Sequence, residues 1–303
     1  MSLLIIGSIA LDTVETPDGD KAENAIGGSA VYGAYAASLF TKPSIVGVVG
    51  DDFPTREMTS MKKHNIDLEG VEQVPKGRTF NWGGRYFDDM NQRETLFTEL
   101  GVFENFQPKL PEKYKKIRNV FLANIDPDLQ HEVLEQISDP RFVVVDTMNL
   151  WIDIKHRSLL KLLKKIDVLL LNDEEAMLLA DTTSVPRAAE KLQKMGLERV
   201  LIKKGEHGCV MHGPEGVFSS PALPLTNLKD PTGAGDSFAG GMLGWLSERK
   251  LTENNWRKAI LLGTATASFC CESFSVQKLR KATKEDVIER AERVRAMMQV
   301  GKI

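Results

Sequence analysis

The run Asp230-Pro-Thr-Gly-Ala-Gly-Asp-Ser-Phe238 places two glycines around one small residue, immediately before a helix-like stretch from Ser237 to Arg249. Gly233, Ala234 and Gly235 leave backbone N–H groups uncovered at a helix N-terminus, where unpaired donors and the helix dipole form an anion site. Asp236 falls in the first turn beside that site. A carboxylate there is held ionised and can accept a proton near neutral pH. A base within reach of an anion hole is what phosphoryl transfer to a hydroxyl requires. The same residues also suit a plain glycine turn with Asp as an early helix residue.

Other residues bear on that choice. Asn172 and Glu175 follow the apolar run Val168–Leu171, hence the carboxyl end of a strand, where open α/β sheets bind ligands. Glu175 suits a hydrated Mg2+ that borrows one carboxylate plus phosphate oxygens. The pair equally suits a capping box, and the two roles are compatible. Neither a G-x-x-x-x-G-K-[ST] loop nor a G-x-G-x-x-G fingerprint between strand and helix is present. The three cysteines have no C-x-x-C spacing and the five histidines no H-E-x-x-H or i, i+4 pairing, so disulfide frameworks and transition-metal sites are not expected.

Elements able to position these residues recur along the chain. Leu3–Ile9, Ser44–Val49, Asn119–Ala123, Phe142–Val145, Val168–Leu171 and Val200–Lys203 are short apolar runs of the kind buried parallel strands show. Helical patterns lie between them at Ser29–Phe40, Pro54–His64, Pro127–Ile137, Ile152–Leu163 and Asp173–Ala180, and Phe238–Val300 reads as almost wholly helical. This alternation predicts a parallel sheet covered on both faces. Two hairpins interrupt it: an aromatic- and Thr-rich segment, Lys76–Phe106, and the pair Gly208–His212 and Gly216–Ser219. The first needs a surface to cover, either as an extra sheet edge or as a lid. A formal net charge of −3 with 27% charged residues gives no global attraction to nucleic acid or anionic membranes. No apolar run has the length of a spanning helix and Met1–Leu11 lacks a leader pattern, so the chain is expected to be soluble and cytoplasmic.

The Asp230–Phe238 run resembles the D-T-x-G-A-G-D-x-F signature of the ribokinase-like (PfkB carbohydrate kinase) family, with Pro231 where Thr is commoner. Ile6-Gly-Ser-Ile-Ala-Leu-Asp12, Ile26-Gly-Gly-Ser-Ala-Val-Tyr32-Gly-Ala-Tyr-Ala-Ala-Ser-Leu39, Val46-Gly-Val-Val-Gly-Asp-Asp-Phe53 and Asn172-Asp-Glu-Glu175 are similar to further family segments, so the resemblance covers nearly the whole chain. It implies one three-layer α/β/α kinase domain over residues 1–303 with a mostly parallel central sheet. It also implies a small β-sheet lid from about residues 11–25 and 76–106. It further implies ATP and Mg2+ as cofactors, with a monovalent cation as a further candidate, and Asp236 as the catalytic base beside Gly233, Ala234 and Gly235. Asn172, Glu175, Lys203, Gly205, Gly208 and Thr232 would face the nucleotide, with Glu175 toward the metal. Asp12, Gly27, Gly28, Tyr32, Trp82 and Asn149 would face the acceptor, and lids of this kind suggest a homodimer.

The departures bear on the acceptor. Tyr32 stands where the family has Asn, and Asp146-Thr-Met-Asn149-Leu-Trp151 where D-x-N-x-R is common. Lys203 replaces the usual Thr of the nucleotide loop and reads as an exposed hairpin lysine, with contact to a phosphate as the alternative. Phe80, Trp82, Tyr32 and Trp151 could line a nucleobase pocket, or the lid aromatics could form a small core of their own. The reading leans to a small sugar or polyol, with a nucleoside as the alternative. A non-catalytic binding protein is disfavoured by the intact Gly233–Asp236 run, and an NAD-dependent dehydrogenase by the missing fingerprint.

Overall fold

The computed structural model describes residues 2–301. The first half of the chain forms β1 (Leu3–Ile6), β2 (Ala10–Glu15), β3 (Lys21–Gly27), α1 (Ser29–Ser38), β4 (Pro43–Gly50), α2 (Thr55–Lys63), β5 (Asp67–Val74), β6 (Phe80–Tyr86) and β7 (Arg93–Glu99). The second half forms β8 (Asn119–Leu122), α3 (Pro127–Glu135), β9 (Phe142–Asp146), α4 (Asn149–Ile154), α5 (His156–Leu163), β10 (Val168–Asn172), α6 (Asp173–Leu179), α7 (Val185–Gln193), β11 (Arg199–Lys203), β12 (Cys209–Gly213) and β13 (Gly216–Ser220), then α8 (Ala234–Ser247), α9 (Glu253–Cys271) and α10 (Lys284–Met297).

The main sheet has nine strands in the order β13-β12-β11-β10-β9-β8-β1-β4-β5. It is parallel from β11 to β5, and the hairpin β12–β13 adds an antiparallel edge. The continuous hydrophobicity of the strands has a direct cause. Leu3 and Ile5 enter a core shared with α1, α8 and α9, while Leu4 and Ile6 enter a second core shared with α3, α5, α6 and α7. A strand with helices on both faces has no solvent side on which to place polar residues.

Several elements differ from the expectation. The first strand stops at Ile6, because Gly7–Ile9 turn the chain toward the smaller sheet. β5 went unrecognised: it is an edge strand with Glu69, Glu72 and Gln73, so it lacks the apolar run of its neighbours. α7 also went unrecognised. The helix expected over Ile152–Leu163 is two, broken at Lys155. Ala282 and the loops on either side of α9 divide the C-terminal region into three helices.

A separate four-stranded sheet has the order β3-β2-β6-β7, with β2 and β6 parallel and the outer pairs antiparallel. Its entry is pinned to the end of β4. Thr79 donates N–H and Oγ1 to Asp52 Oδ1 at 2.8 and 2.6 Å, and Gly50 N–H donates to Thr79 Oγ1. The small sheet therefore stands over the carboxyl ends of the main strands.

Candidate active site

Gly233 caps α8 in the left-handed region, with φ 76°. A Cβ there would lie 2.3 Å from the ring of Tyr32, so only glycine fits both the backbone and the space. Among the described residues the amides of Gly233 and Gly235 find no acceptor, which leaves both donors for a bound anion. Asp236 occupies the third helical position and is half-buried. Burial is the main cause that raises its carboxyl to about 7, and Asp146 adds to the rise. Lys203, its own N–H and Arg93 oppose it. A carboxylate so poised can take a proton near neutral pH.

Three main-sheet strands end in polar residues at this point: β9 in Asp146, β10 in Asn172 and β11 in Lys203. Parallel register sets Asn172 beside Lys203. Lys203 Nζ lies 2.7 Å from Asp146 Oδ2, with side chains 19% and 5% exposed. The expected exposed lysine is thus a mostly buried one, because β11 carries it to the sheet's carboxyl end rather than into the hairpin. Asn172 and Glu175 form a reciprocal capping box: Asn172 Oδ1 accepts the Glu175 N–H and Glu175 Oε2 accepts the Asn172 N–H, both at 2.7 Å. Burial first, then Asp146, raises the Glu175 carboxyl to about 7, against the pull of Lys203. Among the described residues no group of three His, Cys, Asp or Glu could cage a metal. Glu175 spends one oxygen on its cap, and its remaining oxygen fits a hydrated Mg2+ held chiefly by phosphates.

The small sheet supplies the opposite wall. Asp12 and Trp82 are register partners on β2 and β6. Asp12 is 5% exposed, and a Cβ at Gly27 would overlap its Oδ2, so the glycine lets the carboxylate lie against the backbone. Burial first, then Asp230, raises Asp12 to about 8, the Gly28 N–H opposing and Asp236 adding. Tyr86, four residues after Trp82 on the same face, shares a 3.0 Å hydrogen bond with Thr232 Oγ1. Arg93 pairs with Tyr86 across β6–β7 and lies over the Trp82 ring at 5.6 Å.

Behind the glycine run opens a cleft of about 830 Å³, lined by Lys203, Gly205, Gly208, Leu223, Leu225, Gly235 and Phe238 among others. Its size and mixed apolar and polar walls suit a nucleotide. Gly205 and Gly208 shape its rim at φ 54° and 82°, and Asn91 of the small-sheet turn comes against Gly205.

The predicted residues divide accordingly. Lys203 is near enough to feel Glu175 and Asp236, and Asp12 to feel Asp236; Asn172 lies beside Lys203, and Thr232 meets Tyr86 of the small sheet. Asn149 does not join them in this way: it is exposed, with Oδ1 accepting the N–H of Leu150. Tyr32 is not an open pocket wall but a support, 2% exposed beneath Gly233. Trp151 donates Nε1–H to Asn124, and Phe80 packs on Phe103. Of the four aromatics considered for a base pocket, Trp82 faces the site. Asp146, Tyr86 and Arg93 went unnamed as site residues. Asp146 ends an apolar strand as Asn172 does, and the strand-end rule applied to every strand would have found it.

Residues 2–282 match the pfkB family carbohydrate kinase. The chain belongs to this family. Cytidine kinase of Thermococcus kodakarensis is 31% identical over 261 residues, which is 84% of this chain and 91% of that one. The nucleoside kinase of Burkholderia thailandensis, in complex with ADP-inosine, superposes with a TM-score of 0.81 at 20% identity, covering 99% of this chain and 98% of that one. Arabidopsis thaliana ribokinase, complexed with ribose and ATP, superposes at 0.76 and 20% identity, covering 96% and 98%. The PfkB fold expected from the sequence is therefore the observed one. The chain is a phosphotransferase with a hydroxyl acceptor, a nucleoside or sugar kinase of a family that uses ATP and Mg2+.

Proposed function

We propose that this PfkB kinase transfers the γ-phosphate of ATP to a hydroxyl of a nucleoside. The observation that carries the choice is the register pairing of Asp12 with Trp82 on the face of the small sheet that covers Asp236. A carboxyl group can hold ribose hydroxyls, and an indole offers a stacking surface to a base. The sequence leaned to a sugar or polyol. The cytidine kinase activity of the Thermococcus relative and the inosine moiety bound in the Burkholderia structure support the nucleoside instead.

In this reading Asp236 takes the hydroxyl proton, while the amides of Gly233 and Gly235 receive charge on the transferred group. The nucleotide lies in the cleft beside Gly205 and Gly208. When bound, Mg2+ would neutralise phosphate charge, and Glu175 is the residue that would face it. The small sheet acts as a lid that keeps water from the phosphoryl group. Asp230 is 1% exposed and its Oδ2 has no partner, which suits a bound monovalent cation. Rates in K+ compared with Na+ test that point.

The decisive experiment is ADP release with cytidine, inosine, adenosine, ribose and fructose as acceptors. At least one nucleoside should exceed both sugars about tenfold in kcat/KM, since stacking on one base contributes 1–3 kcal/mol. Equal or better use of a free sugar would overturn the acceptor assignment.

A further inference from the structure

Lys203 is placed differently from the surface lysines among the described residues. Its ammonium is bonded to Asp146, itself 3% exposed, and lies 3.1 Å from where a Cβ on Gly235 would stand. It therefore touches the glycine run at the residue whose amide is free. It also lines the nucleotide cleft. Burial works against its charge, but Asp146, Glu175 and Asp236 outweigh that and keep it protonated. A buried ion pair contributes little net stability compared with an apolar pair of the same size. Two strands converge here to hold a cation beside an anion hole, and fold stability alone does not account for that.

We propose that Lys203 is a catalytic residue that binds the transferred γ-phosphoryl group, and that Asp146 is the positioning residue that aims it. This rests on the kinase reading above and adds roles that reading does not need. In the step, the acceptor oxygen forms a bond to the γ-phosphorus and its proton passes to Asp236. The bond from the γ-phosphorus to the β,γ-bridging oxygen breaks, and its electron pair leaves with ADP. Lys203 donates to a γ-phosphoryl oxygen throughout. Asp146 keeps a second donor of the same ammonium, so the head group does not wander among Glu175, Asp236 and the phosphates. A lysine with three donors can serve both partners at once. The residue thus does by side-chain charge what the two free amides do by dipole.

The test is a set of three variants, Lys203→Met, Asp146→Asn and the double variant, with melting temperature, steady-state rates and nucleotide binding measured on each. Lys203→Met strands a buried carboxylate and should melt lower than wild type. The double variant removes both charges and should recover most of that melting temperature, so the conclusion does not depend on the single variant folding. Its kcat should nevertheless stay about 10²- to 10³-fold down, the usual cost of one lost charge-stabilising donor. Calorimetry without acceptor separates this inference from the function it rests on. Wild type should prefer Mg·AMP-PNP over Mg·ADP, and the double variant should lose about 10- to 100-fold of that preference, as expected for a hydrogen bond to a charged group. Asp146→Asn should lose part of the preference although the lysine remains. If the double variant regains both stability and rate, or keeps the full preference for AMP-PNP, the pair is structural and the proposal is wrong. If wild type shows the preference but phosphorylates no nucleoside, the acceptor assignment fails while the role of Lys203 is still decided.

Discussion

Replacing Asp236 by Asn removes the proton acceptor while keeping the shape of the first turn of α8, and the pH dependence of wild type fixes what should disappear. A carboxyl raised to about 7 is ionised in roughly one molecule in ten at pH 6 and in about nine in ten at pH 8. Wild-type kcat/KM for the acceptor, which reports the free enzyme, should therefore rise through an inflection near pH 7. Asp12, near 8, shares the same electrostatic neighbourhood, so the apparent values belong to the group and a second inflection near 8 is expected. Asp12→Asn should remove that second inflection and retain the first. Asp236→Asn should lower kcat by about 10²–10⁴ and leave near 7 only the inflection of Glu175, which is raised to the same value. Stability moves the other way. A carboxyl whose folded value is raised above the unfolded value contributes stability that is complete below about pH 4 and lost as the pH rises through about 7. At pH 8 the Asn variant should then melt no lower than wild type. Coupled detection of ADP between pH 5.5 and 8.5, beside melting curves at the same pH values, is the assay. A flat wild-type profile across pH 6–8, or an Asn variant with nearly wild-type turnover, would refute Asp236 as the base.

Glu175→Gln should preserve the capping box, since Gln serves at that position, yet raise the Mg2+ needed for half-maximal rate by about tenfold. An unchanged Mg2+ titration would leave Glu175 a cap alone. Trp82→Ala should raise the nucleoside KM by about 5- to 150-fold and leave the ATP KM nearly unchanged. Equal shifts for both substrates, or a melting change alone, would remove Trp82 from the acceptor site. Gly233→Ala should cost about 1–2 kcal/mol from the left-handed backbone alone. The overlap with Tyr32 adds to that, so a fall in melting temperature of at least about 3 °C with weaker nucleotide binding is expected. A variant that melts and binds like wild type would show that the loop can relax.

What could be read in the sequence followed the physics of each element. Strands buried on both faces announce themselves by continuous apolar runs, and the glycine run before α8 announces a helix N-terminus. These gave the parallel sheet, placed Asn172 and Glu175 at its carboxyl edge and put Asp236 in the first turn of a helix. β5 stayed hidden because an edge strand keeps polar residues on its open side. Lys203 was misread for a different reason. Sequence shows a lysine next to a hairpin, but its burial depends on Asp146, which lies 57 residues away and two strands over. No local pattern encodes such a pair. Arg93 belongs to the same class. It sits at the end of an exposed polar turn, and the Tyr86 pairing across β6–β7 is what turns it toward the site.

The aromatic residues show how one substitution can be misassigned when only its own position is considered. Tyr32 stands where the resemblance to the family leads one to expect Asn, and alone it suggests a lost acceptor contact and a gained stacking surface. In the fold its ring fills the space under Gly233, where a Cβ would come within 2.3 Å. The ring thereby enforces glycine at the cap and supports the loop whose amides, in the proposed reading, would receive the phosphoryl group. In the proposed reading Tyr32 accordingly bears on the phosphate side of the site. Evidence for the acceptor passes to residues that remain open to it. Phe80 is engaged with Phe103, Trp151 with Asn124, and Tyr86 with Thr232. Trp82 donates Nε1–H to Thr95 Oγ1 at 3.4 Å and has Arg93 over its ring, yet it is the register partner of Asp12, and in the proposed reading that placement makes it the residue on which nucleoside and sugar acceptors should differ most.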